Sequence, residues 1–510
     1  MKAYGEFFRG ENTSRAEQSG FTATSNLDIH SEIGYASPQL ALVSESTTPN
    51  EACISVIVPD GTTYFFSKTT GKIWKRTTDG TYSLVATNIN TAHTGTRYFN
   101  GKLYYWTASK LGYKQITGSI TVSIADPCVV TLASHGLATA DPVSFLTTGA
   151  LPTGITAGTT YYARPDTSLT EVDEFWLYDT AAHATSGGAT GRVASSGTQL
   201  GTHTMWVHTF ATLANGNARG SAILNLSLFI ADGNDISSVD NTGTFAQSSL
   251  DLEVNYIITD IAAVGNDLLI GTVNSTSNGF CKAFLWDTYS SSWSYEDEVF
   301  EAGINCFIQT DNLTLAQCGN AGWIYYWTGS RLEKFKKIKG ITTTNTATYH
   351  ALTTTLNGKA LLANGTYIYS IHRENKDLPM AICREYTSTG TINSILAVGS
   401  QLLVSYTNEA TVGVDKIGTN YATAYLDTPE ANEESQMVEV YYDSLPTGTS
   451  IGISTKINGG DWTVQTPITD TINKRVYFDG GLLDVVFMQS RATLTPATTS
   501  KPVIRNIVIK

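Results

Sequence analysis

The sequence has no C-x-x-C pair among Cys53, Cys128, Cys281, Cys306, Cys318 and Cys383. Neither a zinc-site spacing nor a dense disulfide framework is therefore present, and buried thiols are expected. No H-x-x-x-H or H-E-x-x-H occurs among His30, His93, His135, His183, His203, His208, His350 and His372, so a zinc enzyme lacks its ligand pattern. There is no P-loop and no G-x-G-x-x-G, which removes the starting residues for nucleotide chemistry. Charged residues make up only 15% of the chain, too few for a coiled-coil rod or a disordered solvating segment. Cations are scarcer than anions, with Lys+Arg 32 against Asp+Glu 45 and a net charge of -13, which argues against a surface that grips nucleic acid through its phosphates. No segment reaches the ~18 apolar residues of a membrane helix. The opening MKAYGEFFRGENTSRAEQSG lacks an apolar stretch of signal-peptide length, so a soluble chain not exported by that route, without membrane insertion, is expected.

What is present is β structure. Of the 510 residues 41% are hydrophobic, and they fall in short runs or alternations rich in Val, Ile, Thr, Tyr and Phe, such as Cys53-Ile54-Ser55-Val56-Ile57 and Leu103-Tyr104-Tyr105-Trp106. One unit recurs, a polar tight turn opening into an apolar strand. It is marked by Gly61, Gly101, Asn266, Asn312, Gly358 and Ser400. The intervals between markers are about 40, 165, 46, 46 and 42, against the ~40 to 45 residues of a four-stranded propeller blade. Removing a stretch of about 84 residues from the long interval leaves about two periods, which places another blade around Ala222-Ile223-Leu224-Asn225-Leu226-Ser227-Leu228-Phe229-Ile230. The expected fold is all-β: a propeller of about seven blades over 51–117 and 202–426, an inserted β module over 118–201, and a C-terminal β-sandwich over 435–510. The acidic segment Asp427 to Ser435 is read as the boundary before the sandwich. Residues 1–50 are the least legible, with Leu40-Ala41-Leu42-Val43 a candidate strand to close the ring.

Within the insertion the chain runs His135-Gly136-Leu137, Asp141-Pro142-Val143-Ser144-Phe145, Gly149-Ala150-Leu151-Pro152-Thr153-Gly154, Gly158-Thr159-Thr160-Tyr161-Tyr162, Phe175-Trp176-Leu177 and Gly197-Thr198. This resembles the small β-barrel-like module inserted into tail and fibre proteins of tailed bacteriophages, itself similar to a domain of ubiquitin-activating enzymes with no enzymatic implication. A propeller followed by a small sandwich is in turn similar in layout to the hub or nozzle proteins of phage tails, also described as tail tubular or DNA-stabilisation proteins. The resemblance implies a structural virion protein in a homo-oligomeric ring of about six copies. It would sit at the DNA exit channel among other tail proteins, with DNA passing and no specific binding. The alternative is a receptor- or glycan-binding tail accessory, and an enzyme acting on surface polysaccharide ranks third.

No catalytic, cofactor or metal residue is expected. Ser67-Lys68-Thr69-Thr70-Gly71-Lys72-Ile73-Trp74 is one substitution from the Asp-box turn of sialidase-like propellers, a structural hairpin in that family. Asp232-Gly233-Asn234-Asp235 with Asp240 has the flavour of a calcium loop but lacks its glycine and glutamate, so a solvated turn is expected. Glu296, Asp297, Glu298 and Glu301 could supply a paired-carboxylate site, and read more simply as a solvated loop. Gly448-Thr449-Ser450-Ile451-Gly452 matches G-x-S-x-G inside a β alternation, with no His downstream to complete a triad. The tryptophans are expected mainly in blade and hairpin cores.

Overall fold

The computed structural model describes residues 2–3, 23–30, 35–116, 119–166, 168–169, 171–276, 279–338, 341, 349–373, 380–432, 437–470, 475–479 and 487–509. Seven antiparallel four-stranded units form a β-propeller. Their innermost strands are Cys53–Ile57, His93–Phe99, Ala218–Leu224, Tyr256–Val264, Ile304–Gln309, Thr353–Leu356 and Thr391–Val398, here the first strands of blades 1 to 7. Each touches the next in that order, and the last returns to the first. The turns after the first strands carry the expected chemistry. Asn100 and Gly101 have φ of 45° and 78°, and Asn357 and Gly358 have 51° and 74°, so both central positions are left-handed. In blade 3 the same turn is Asn225-Leu226, with φ of 49° and 59°. Leucine in that conformation explains why this blade has no Asn-Gly marker.

Ring closure joins distant parts of the chain. Leu40–Ser44 pairs with Val412–Tyr421 as the outer strand of blade 7. Asp415 holds this seam by accepting hydrogen bonds from Ser44 Oγ (2.7 Å), Ser388 Oγ (2.9 Å) and the Thr389 N–H (2.9 Å). Next in sequence, Glu45 takes a two-pronged bond from Arg76 of blade 1 (2.9 and 2.6 Å) and another from the Tyr82 hydroxyl (2.6 Å). Lys416 lies 3.2 Å away. Burial pushes the Glu45 carboxyl up, and the hydrogen bonds from Arg76 and Tyr82 outweigh it, holding the group below the usual range.

The insertion does not hang from the propeller as a separate body. Its strands Asp141–Thr147, Thr160–Arg164, Glu174–Tyr178, Val129–Thr131 and Thr121–Val122 continue the blade 2 sheet beyond its outer strand His203–Thr212. Val143 to Thr147 pair with Val207 to His203, and a bridge from Ile120 back to His203 closes a small barrel. The HGL and D-x-V residues are its fasteners. Leu137 N–H donates to His135 Nδ1 (2.8 Å), Ala138 N–H donates to Asp141 Oδ2 (2.7 Å), and the Tyr113 hydroxyl of blade 2 donates to the His135 carbonyl (2.7 Å). One apolar core runs through blade 2, the module and blade 3, from Tyr113 through Phe145, Phe175 and Leu177 to Ile230.

A buried polar link keys the two together. The Tyr105 hydroxyl donates to the Val207 carbonyl (2.8 Å), so its oxygen accepts from His208 Nδ1 (3.1 Å), and His208 Nε2 accepts from Ser144 Oγ (2.9 Å). His93 likewise gives Nδ1–H to the Ser67 carbonyl (2.9 Å) and faces the Asn88 amide with Nε2 (3.2 Å). Each ring thus has one nitrogen that must stay unprotonated. Burial pushes His93 down to about 4 and His208 to about 3 from an ordinary 6.5.

The C-terminal part is a sandwich of two antiparallel sheets, and its limits differ from 435–510. Its strands include Ala23–Ser25 and Ala424–Asp427, and Ala431–Asn432 pairs onto the same sheet. The segment read as a boundary therefore begins inside a strand, while residues 433–436 lie outside the described residues. The chain leaves blade 7 at Tyr421 and enters the sandwich at Ala424. Leu27, Leu426, Val440, Ile453 and Leu494 share its core with Ala381 and Cys383 of blade 6, which seats the sandwich against that blade. Residues 471–474 and 480–486 of the expected sandwich lie outside the described residues.

Two outcomes follow for stability. Glu45→Ala leaves Arg76 buried without its partner and removes the closure lock, so urea denaturation is expected to show a loss of about 3 kcal/mol. The buried histidines set an acid limit. In the unfolded chain they take up protons below pH 6.5, while in the fold they resist until near their lowered values, so stability is full above 6.5 and falls toward pH 4. His93 and His208 together contribute a slope of about 3 kcal/mol per pH unit, and His208→Gln is expected to lower the measured slope by about 1.4 kcal/mol per pH unit in denaturation curves taken between pH 6.5 and 4.5.

Candidate functional site

The propeller axis holds a polar cavity of about 330 Å³, walled by the innermost strands of blades 2 to 5, by Thr353 to Thr355 of blade 6, and by the 3-10 helix Tyr349–Leu352. Sequence alternation along the first strands delivers its side chains. In blade 4 the run Ile257-Ile258-Thr259-Asp260-Ile261-Ala262 is apolar except at its centre, where a register shift between Ile258 and Asp260 turns the carboxylate toward the neighbouring blade. Asp260 accepts the N–H of Ile261 (2.9 Å) and that of Phe307 on the next blade (2.8 Å). Gly220 makes the room, since a Cβ there would lie 1.9 Å from Asp260 Oδ1. Burial raises the Asp260 carboxyl to about 7 against the pull of these backbone donors and of Arg97.

Arg97 projects from the first strand of blade 2. It makes no hydrogen bond or ion pair to another described residue, and Asp260 is the charge it feels. Arg97 remains exposed to solvent at the cavity mouth; crowding by the walls lowers its affinity for the proton, and Asp260 partly offsets this. His350 enters from the 3-10 helix, and its Nδ1 is buried without a partner. Burial, then the positive charges of Arg219, Lys68 and Arg97, push it down to about 4. The axis is therefore polar and locally cationic within an acidic protein, and it presents a guanidinium fork and an imidazole edge.

The residues singled out from the sequence do not converge on a site. Asp232 is buried and accepts the N–H groups of Asn215 (2.8 Å) and Asn217 (3.0 Å), while Asp240 caps its own turn through Thr242 and Thr244 (both 2.8 Å). Asp235 takes the Ser248 hydroxyl (2.7 Å). Glu296 pairs with Lys282 (2.7 Å), Asp297 accepts the Leu332 N–H (2.8 Å), and Glu301 pairs with Lys334 (2.7 Å), so these carboxylates brace strands separately. In the Asp-box-like turn, Ser67 Oγ accepts the N–H groups of Thr69 (3.2 Å) and Thr70 (3.0 Å). Ser450 begins a strand paired with Thr495, which is not a nucleophile elbow. Trp106, Trp206 and Trp286 are fully buried in blades, and all six cysteines are buried thiols with no disulfide joining them. Among the described residues no group of three His, Cys, Asp or Glu side chains could hold a metal ion, and no helix is long and apolar enough to cross a membrane. Sequence reasoning missed Arg97, Asp260 and His350. The available signal was a charge within an apolar first strand, as in Tyr256–Val264.

No family model matches the chain, and no curated protein matches it. Solved structures do. The computationally designed Ika8 protein aligns over 74% of this chain and 99% of its own at 11% identity, TM-score 0.39. RRP9 WD40 repeats align over 74% and 96% at 8% identity, TM-score 0.38. Apo AztD from Citrobacter koseri aligns over 66% and 87% at 9% identity, TM-score 0.34. These similarities are too distant to bear on activity; they sit beside a propeller that its own seven sheets define.

Proposed function

We propose that the chain is a structural, non-enzymatic component of a bacteriophage tail, part of a hub or nozzle ring of about six copies at the DNA exit channel. The observation that carries this reading is the inserted stretch with its His135-Gly136-Leu137, Asp141-x-Val143-x-Phe145 and Phe175-x-Leu177 pattern, which resembles the tail-inserted module. Its fusion to blade 2 through a shared strand and a common core supports a load-bearing role, because a force on the module passes into the ring instead of bending a linker. The net charge of -13 supports the channel side of the proposal, since a carboxylate-rich conduit repels phosphate and lets DNA slide.

Reconstruction of native particles tests it. A position on the tail axis in a ring of about six is the expected result. A peripheral position in threes would replace it with the receptor-binding reading, and a chain that joins no particle would overturn both. A second expected outcome concerns DNA: at physiological salt the purified chain shows no binding to duplex DNA in a polarisation titration, where the phosphate-gripping alternative gives a steep salt dependence.

A further inference from the structure

We propose that the axial cavity is a binding site for a small oxyanion, a carboxylate or phosphate group held by Arg97. Four observations converge on it. The guanidinium of Arg97 has no hydrogen-bonded or ion-paired partner among the described residues, and it stays open to solvent on the wall of a half-open space of about 330 Å³. That volume lies at the small end of ligand pockets, which run from ~300 Å³ upward. His350 Nδ1 is buried in the same wall with nothing to bond, and an unpaired buried polar nitrogen costs about 1 to 3 kcal/mol unless something occupies the site. The hydroxyls of Thr96 and Ser221, on the first strands of blades 2 and 3, also line the cavity and make no side-chain hydrogen bond to another described residue.

The charge balance selects an anion. Asp260 is the one carboxylate in the wall, and its two oxygens are already taken by the backbone N–H groups of Ile261 and Phe307. It therefore cannot swing across to neutralise Arg97 without breaking the link between blades 4 and 5. Arg219 and Lys68 add positive potential at His350. The planar fork of Arg97 matches two oxygens of a carboxylate or phosphate, and His350 in its Nδ1–H form donates a further bond. Gln309 does not compete, because its amide donates to the Ala263 carbonyl (2.6 Å). The site lies on the axis of a single chain, so it is independent of the ring's place in a particle.

Titration calorimetry of the full chain with inorganic phosphate and with acetate, at one ionic strength set by chloride, separates the two sources. Saturable binding of at least one, with Kd at or below about 1 mM, is expected, and Arg97→Gln should weaken it at least tenfold without lowering the melting temperature. No saturable heat with either anion, or the same Kd in Arg97→Gln, overturns the proposal. A second readout needs no variant: the bound anion shifts the His350 imidazole resonances and raises their titration midpoint, and chloride does neither. Resonances that respond equally to chloride, or not at all, overturn it as well.

Discussion

Everything in this structure depends on closing the ring. A four-stranded blade has two faces and an outer edge, and only a neighbour on each side buries both faces. Seven blades in an open arc would leave the free faces of blades 1 and 7 wet. The chain solves this by carrying residues 40–44 to the far end of the propeller, where they pair with Val412–Tyr421. Loop-closure entropy opposes a contact between residues so far apart in sequence, though it grows only with the logarithm of length. The offset is concentrated at the seam. Glu45 is clamped by Arg76 and Tyr82, Asp415 ties three donors, and Ser394 Oγ donates to the Cys53 carbonyl across the innermost strands (2.8 Å). Closure thus rests on charge-assisted bonds in a buried setting, where losing one partner costs more than the pair itself contributes.

The same constraint explains which parts were legible in the sequence. Blade turns repeat because every blade solves one local problem, a reversal between the first two strands, and Asn-Gly solves it with least strain. The period therefore surfaced wherever glycine or asparagine was used, and blade 3 emerged only by spacing because Leu226 stands in the turn. The insertion was legible for a related reason: His135 and Asp141 cap adjacent turns and Phe145 and Phe175 fill one small core, so their spacing is set by local geometry. The limits of the sandwich were not legible. Two of its strands come from Ala23–Ser25 and Ala424–Asp427, short strands whose partners lie hundreds of residues away or across a domain boundary, and periodicity within a window cannot register such pairings. The cavity was illegible for a stronger reason. Arg97, Asp260 and His350 belong to three different blades or connections, and only radial stacking brings them to one axis.

His208 and Asp260 follow one rule: each buried group is fixed by donors or acceptors from another segment. His208 joins Ser144 of the module to Tyr105 of blade 2, and Asp260 joins blade 4 to blade 5. Such bonds specify register more than they add stability, since the polar atoms lose as much hydration as they regain. A one-residue slip between the module's strand Asp141–Thr147 and His203–Thr212 would put Ser144 on the wrong side of the sheet and strand His208 in an apolar core. The polar residues thus exclude wrong pairings that the apolar contacts alone would tolerate.

That rule also resolves the contrast between an acidic chain and a cationic axis. Net charge governs what approaches from a distance, but surface fields fade over about 8 Å at physiological salt. At the axial cavity the nearest groups decide, because they lie within that screening length of anything the cavity holds. Some carboxylates elsewhere in the chain are individually matched, as Glu296 is to Lys282 and Glu301 to Lys334, and the far field of those is reduced further. Asp260 is spent on backbone donors, which leaves Arg97 unopposed at contact distance. A charge of -13 and an anion-seeking axis are therefore compatible in one molecule, because the first is a sum over the surface and the second is set by the few groups that line one cavity.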